Sequence, residues 1–483
     1  MNEKKKGGLA GLLTSDRWAN VTVSVLAVVL MLLTSSVILL LMGKNPLVAF
    51  RSFLQGCGFW PKANYGGGVG MLSDFFDYLN ILAPMLLAAL AFIVAFKTGL
   101  FNIGISGQML LSGFLATALV GYLKDLSPWL AKPLVLVIGV AAGGLLGALI
   151  GWLKYRFNIH EVVSTIMVNY IISYTTGFFI NTRYVDMLTR SSRICTPASR
   201  LTFTKVEIGG VRCNVPLGIL IALAAAFLVK FIFDKTVFGF ELKAVGTSRK
   251  CARYIGINVR RSIVLSMALS GVFAGLAGVT YYLGYTNTMV PKTLPGMGYD
   301  SIAVALLGNS SPLGAIFASM IVTIFQSGAN YMSSSVGVAK EIASVITGIL
   351  LLFSACGGFF RYVAQGYLRD VRFSVQNVSH LVPQKHSIGG LPLAGMYRKD
   401  LQLLMPVSII TAFLSDRKFE IKDLADKFHD LLPVYVDQFS SAYRCKNMKV
   451  THRTRRFYQR LPRKCASRAV CRESKTSCQS FGI

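Results

Sequence analysis

Long apolar runs recur along almost three quarters of this chain, and they limit what it can fold into. Val21 to Met42, Ile81 to Phe96, Ile105 to Tyr122, Leu134 to Leu153 and Glu161 to Ile180 are such runs. Pro216 to Phe233, Ile263 to Tyr285, Leu313 to Met332 and Glu341 to Cys356 are others. About 17–25 apolar residues in a helix cross the ~30 Å of hydrocarbon in a bilayer. Hydrocarbon offers the backbone no hydrogen bonds, so each run must satisfy its own, as a helix does. The runs therefore predict an all-α polytopic membrane protein. A soluble protein with buried helices is the competing reading, but such helices are usually shorter than these. Composition points the same way: 53% of the 483 residues are hydrophobic and 15% charged, against about 25% charged in globular domains.

Three segments follow. Residues 1–20 form a basic leader with Lys4, Lys5, Lys6 and Arg17. The run after it is too long for a signal-peptide core and lacks a small-residue cleavage pattern, so it reads as an uncleaved first span with a cytoplasmic N-terminus. Residues 21–361 form the transmembrane domain. Residues 362–483 form a basic C-terminal extension, dense in Arg and Lys from Arg444 to Lys475, that reads as disordered or as a non-native terminus. Gly43 to Asn80, with a turn at Gly66 to Gly68, and Asn181 to Val215 are expected to be external loops. The short apolar element Tyr299 to Gly308 decides the parity. If it crosses, there are about ten transmembrane helices and both termini are cytoplasmic, as the positive-inside rule favours. A re-entrant hairpin is the alternative. The net charge of +29 fits the same rule better than it fits nucleic-acid binding. The nine cysteines show no Cys-x-x-Cys spacing, and the chain has no phosphate-binding P-loop, nucleophile elbow or His-Glu-x-x-His. Metal chemistry and ATP binding by this chain are thus not expected. Cys195 and Cys213 share an external loop and are expected to be free thiols rather than a disulfide.

Inside the spans, small and polar residues form patterns. Gly139, Gly143, Gly147 and Gly151 recur every four residues, and Gly271 and Gly275 do the same in a later span. Such stripes let helix backbones approach closely. Glu161, Thr165, Asn169, Ser173 and Thr176 share one helical face. This face is either the polar wall of a substrate path or a set of interhelical hydrogen bonds. Gln108, Tyr281 and Asn330 are further pathway candidates. Asp300 begins the short element and is expected to favour the helix start as a cap.

The stretch Phe238 to Gly278 joins a basic patch to a span with no linker. Arg249, Lys250 and Arg253 supply its charge, and Tyr254, Ile255 and Ile257 an apolar anchor. Six motifs then stand out together: Gly99-Leu-Phe-Asn-Ile-Gly104 with Gly107-Gln108, His160 to Tyr170, Gly239 to Gly246, Ala252 to Ile257, Ala268 to Gly278, and Gly298 to Gly308. Together they resemble the permease subunits of bacterial ABC importers of the branched-chain amino acid and simple-sugar class, and among these the nucleoside permeases.

The resemblance implies a subunit that translocates nucleosides by alternating access, without covalent chemistry, in a bacterial inner membrane. It implies a second homologous permease, a cytoplasmic ATPase that binds ATP and Mg, and an extracytoplasmic substrate-binding lipoprotein. The family's ATPase-coupling loop maps onto Val245 to Val259, which includes Gly246, Arg249, Arg253, Tyr254, Gly256 and Ile257. A ribose-like sugar, a branched-chain amino acid, or an ion-coupled carrier acting alone are the alternatives. The spans lack the ladder of central charges that an ion-coupled carrier requires.

Overall fold

The apolar runs become helices, but not all of them are full spans. The structure is a computed structural model that describes residues 19–62, 65, 70–123, 126–208, 210–338 and 341–356. All of these belong to the compact unit Met1–Ser379. Residues 1–18, the Gly66 to Gly68 turn and the 362–483 extension lie outside the described residues.

In chain order the helices are α1 (Ala19–Leu41), α2 (Pro46–Gly56), α3 (Met71–Lys97), α4 (Ile105–Ala116), α5 (Pro128–Phe157) and α6 (Glu161–Phe179). After the strands β1 (Thr202–Ile208) and β2 (Val211–Pro216) come α7 (Gly218–Lys235), α8 (Val237–Thr247), α9 (Arg249–Tyr254), α10 (Val259–Thr280), α11 (Met297–Leu307), α12 (Pro312–Val336) and α13 (Glu341–Ala355). Short π-helical turns prolong α4 to Gly121, α6 to Tyr184 and α10 to Thr286. Among the described residues, six helical segments are long and apolar enough to cross a membrane: Thr22–Leu41, Met71–Lys97, Pro128–Phe157, Glu161–Tyr184, Val259–Thr286 and Pro312–Val336. The chain is thus a multi-pass membrane protein.

α3 is the hub. Its sequence is apolar on every side, and a helix of that kind belongs in the interior. Residues Ile81 to Ala95 are buried throughout, and α3 packs against α10, α11, α12 and α7. The closest pairing in the fold is α5 with α10.

Three sequence expectations are corrected. The first external loop contains a helix, α2, started by Asn45, whose side chain accepts from Leu47 N at 3.0 Å, and by Pro46. It packs against α12. The second loop is not irregular throughout: β1 and β2 pair antiparallel as a hairpin, so the fold is mostly rather than wholly helical. This loop caps the helix ends. Thr202 Oγ1 donates to Gly284 O at 2.9 Å, Leu201 N to Leu283 O at 2.9 Å, and Thr196 N to Gly121 O at 2.9 Å. Ordering a loop this way lets its backbone groups find partners at an apolar boundary. Third, α11 is a half-length helix, while α4 with its π-helical turn, Ile105–Gly121, is a short one. Eleven residues in α11 rise only about 16 Å, so it cannot span alone. An irregular segment, Asn287 to Gly296, with a turn at Pro291 and Lys292, leads into it.

Candidate functional site

The helices α4 and α11 begin beside one another. Ser106, in the first turn of α4, donates to Pro295 O at 3.0 Å, just before α11. Gly298 lies so close to Ser106 that a Cβ there would sit 2.6 Å from Ser106 N. Asn169 faces the start of α4 from eight residues into α6, about 12 Å along that helix. The two N-termini therefore meet partway through the protein's thickness.

A polar clamp holds this junction. Asn102, in the turn before α4, donates to Ser270 Oγ at 2.8 Å and Gln108 Oε1 at 3.2 Å, and accepts from Gly104 N at 2.9 Å. Asn169 accepts from Gly107 N at 2.9 Å and donates to Ile103 O at 3.1 Å. Ser270 in turn donates to Ala91 O of α3 at 2.7 Å. Breaking the helix before Ile105 frees backbone groups, and the two asparagine amides satisfy several of them. Asn169 is 1% exposed and Gln108 and Thr165 are 0%. Ser173 and Thr176 are buried on the same face, and Thr165 and Thr176 bond to their own helix at 2.9 and 2.7 Å. On this stripe Asn169 makes interhelical hydrogen bonds, and Thr165 and Thr176 bond within their own helix. Tyr281 is half-buried and stands 4.9 Å from Tyr282, edge to face. Asn330 is exposed on α12, apart from the clamp.

The two glycine stripes lie against each other. A Cβ on Gly143 would collide with Gly271 O and stand 2.8 Å from Gly275 Cα. One on Gly275 would collide with Gly139 O, and one on Gly147 with Met267 O. Gly151 faces Met267 and Val264. α5 and α10 thus touch backbone to backbone over three turns, an approach only residues without a Cβ permit.

The basic stretch becomes three capped helices, so the patch is jointed rather than continuous with the span. Thr236 accepts from Gly239 N, Ser248 from Cys251 N and Asn258 from Arg261 N. Gly256 turns the chain between α9 and α10 at φ +85°, a left-handed conformation that favours glycine. Arg249, Lys250 and Arg253 are exposed, as are Tyr254 (91%) and Ile255 (66%). Among the described residues these three basic side chains form no ion pair. Ile257 differs from the expectation: it packs inward with Val245, Ala252 and Val259 and offers little to an outside partner. Gly246 is packed against the backbone of Lys97 and Thr98, and Gly99 lies against Gly246. Arg249 reaches Gly99 O at 3.5 Å. The patch therefore bears directly on the turn that carries Asn102. At the same end of the molecule Lys154 pairs with Glu161 at 2.6 Å, tying the end of α5 to the start of α6.

Asn102 lies within the Gly99 to Gly104 motif but carries no signal of its own there, and Asp300 stands in the first turn of α11, as expected, without being its cap. The cap position of α11 is Gly296 and has no side-chain cap hydrogen bond; Asp300 instead accepts from Gln326 of α12. Cys195 and Cys213 are free, and burial pushes the Cys195 thiol above its usual range. No cluster of His, Cys, Asp and Glu suited to a metal occurs among the described residues.

The family described as the permease component of branched-chain amino acid transport systems matches residues 75–355. The guanosine ABC transporter permease protein NupP of Bacillus subtilis is 35% identical over 349 residues, covering 72% of this chain and 96% of that protein. The nucleoside ABC transporter permease protein NupB of Lactococcus lactis is 31% identical, covering 71% of this chain and 92% of that protein. A second guanosine permease protein of Bacillus subtilis, NupQ, is 27% identical, covering 54% and 83% respectively.

Proposed function

The chain belongs to the family of permease components of branched-chain amino acid transport systems, and from that membership we propose that it imports nucleosides as the membrane subunit of an ATP-driven transporter. The observation that carries this reading is the similarity to guanosine and nucleoside permeases over nearly their whole length. A permease subunit is not itself an enzyme; ATP hydrolysis lies in a separate subunit, which would hold ATP and Mg. The exposed Arg249, Lys250 and Arg253, which form no ion pair among the described residues, lie beside Tyr254 and Ile255 and form the surface on which that ATPase docks. Basic groups with an exposed aromatic suit a protein interface.

Motion at this surface has a short route inward. The patch touches the Lys97 to Gly99 turn through Gly246 and Arg249, and that turn leads to Asn102 and the junction of α4 and α11. Alternating access would act at that junction, where two helix starts meet instead of one rigid rod.

Ten passages across an inner bacterial membrane, with both termini on the cytoplasmic side, fit the arrangement. α11 together with its irregular lead-in makes one descent. Ser24, early in α1, donates to Leu307 O at 2.6 Å, which sets the end of α11 near the start of α1. Two similar permeases, as the pairing of NupP-like and NupQ-like relatives suggests, would enclose the path between them. An extracytoplasmic lipoprotein would deliver the substrate.

The test is uptake of labelled guanosine in a strain lacking this chain, with and without the chain restored. Restored uptake that adenosine, guanosine and uridine compete, and ribose does not, is the expected result. Competition by ribose alone would refute the nucleoside reading.

A further inference from the structure

A second polar group lies on α11 and α12, and more of its hydrogen-bonding capacity is unused among the described residues than in the clamp, where the Gln108 amide nitrogen is left over. Asp300 sits in the first turn of α11, and its one hydrogen-bond donor among the described residues is the Gln326 amide. It forms no ion pair among the described residues. An ionised carboxylate has about four acceptor positions, so most are unfilled. Among the described residues Gln326 Oε1 is buried without a partner, and so is the hydroxyl of Thr323, one turn earlier. Thr323, Gln326 and Asn330 follow one another at spacings of three and four on one face of α12. Asn330 at one end of that face is exposed. Tyr299, beside Asp300, is 40% exposed, and its hydroxyl stands 3.5 Å from Asn169 Nδ2.

An unpaired carboxylate within a membrane domain is costly, and such groups mark functional sites. The unused capacity of Asp300 and Gln326 Oε1 is acceptor, so a ligand bound at these two must bring donors. It must also be uncharged or cationic, since the carboxylate would repel an anion. A vicinal diol brings two O–H donors at the separation of two carboxylate oxygens. The exposed ring of Tyr299 offers a face on which a flat heterocycle can stack.

We infer that Asp300, with Gln326 and Asn330, binds the ribose hydroxyls of the nucleoside as it passes the junction of α4 and α11, with Tyr299 against the base. This rests on the nucleoside reading above and assigns residues to it. The carboxylate accepts from the 2′- and 3′-hydroxyls, while Gln326 Oε1 and Asn330 take the remaining donors. No covalent step is involved.

The experiment compares uptake of guanosine with uptake of 2′,3′-dideoxyguanosine, by the complete transporter, in wild type and Asp300→Asn. The substrate-binding lipoprotein is the same in both, so its own preference cancels from the ratio. A hydrogen bond to a charged group is worth enough to change affinity by roughly 10–100-fold. Asp300→Asn is therefore expected to cut guanosine uptake by about that factor while leaving dideoxyguanosine uptake within about twofold. An unchanged ratio in a variant present at wild-type level overturns the inference. If Asp300→Asn does not reach the membrane, Asn330→Ala, at an exposed position, carries the same test. A narrowing of the ratio by about 3–10-fold supports the site, and an unchanged ratio refutes it. Failure of wild type to import any nucleoside would instead sink the functional reading. The ratio would then be taken with ribose and 2-deoxyribose, and an unchanged value would overturn the site as well.

Discussion

Two polar groups inside this protein look alike in sequence and differ in structure. Asn102, Gln108, Asn169 and Ser270 are buried, and all but the Gln108 amide nitrogen bond to one another or to the backbone freed by the break before α4. Asp300, Gln326 and Asn330 are half-buried or exposed, and among the described residues Asp300 has one donor and Gln326 Oε1 none. The first group closes a structure, and the second is ready to receive something. A polar residue in a membrane span is costly in either case. Counting hydrogen bonds, not noting polarity, separates the two roles.

The comparison can be broken from either side, and the largest effect should come from the scaffold that holds both groups. Gly143→Leu drives a side chain into the backbone of Gly271 and Gly275. Overpacking a core costs about 1–3 kcal/mol even where side chains can yield, and here the neighbour is backbone. Loss of folded, membrane-inserted protein is expected in detergent extraction and size-exclusion chromatography. Normal yield and activity would mean that α5 and α10 do not touch as described.

Next is Asn169→Leu, which leaves Gly107 N and Ile103 O without partners. Each unpaired buried group costs about 1–3 kcal/mol. A lowered melting temperature is expected, with uptake falling in proportion to the folded protein that remains. A variant that is fully stable but loses uptake would move Asn169 from the closed group to the open one. Asp300→Asn, the subtlest change, should do the reverse: stability near wild type and altered substrate preference.

The sequence made the scaffold legible because its signals are periodic. Glycines every four residues at Gly139 to Gly151 and at Gly271 and Gly275 predict close seams, and the structure sets these stripes against each other. The polar face of α6 was legible as a face but not as to its direction. In a membrane the apolar side turns outward, and Val163, Met167, Tyr170, Ile171, Tyr174 and Phe178 are exposed there. Thr165, Asn169 and Ser173 therefore turn in. What escaped sequence reading is non-local. The hairpin of β1 and β2 depends on the helix ends it covers. The break before α4 depends on Asn102 finding Ser270, 168 positions later. Asp300 could not be told from a cap until Gln326 lay beside it.

The basic patch is the element on which the whole account turns, because it is where ATP hydrolysis would reach the membrane domain. The direct test is Arg253→Glu combined with Tyr254→Ala, two exposed positions on the proposed docking face. The chain is reconstituted with its ATPase and second permease in sealed vesicles, and guanosine accumulation is measured alongside ATP hydrolysis. The variant is expected to insert normally and hydrolyse ATP while accumulating at most about a tenth as much guanosine, the loss given by removing interface groups worth about 1.4 kcal/mol or more. Wild-type accumulation in that variant would contradict the coupling role of the patch.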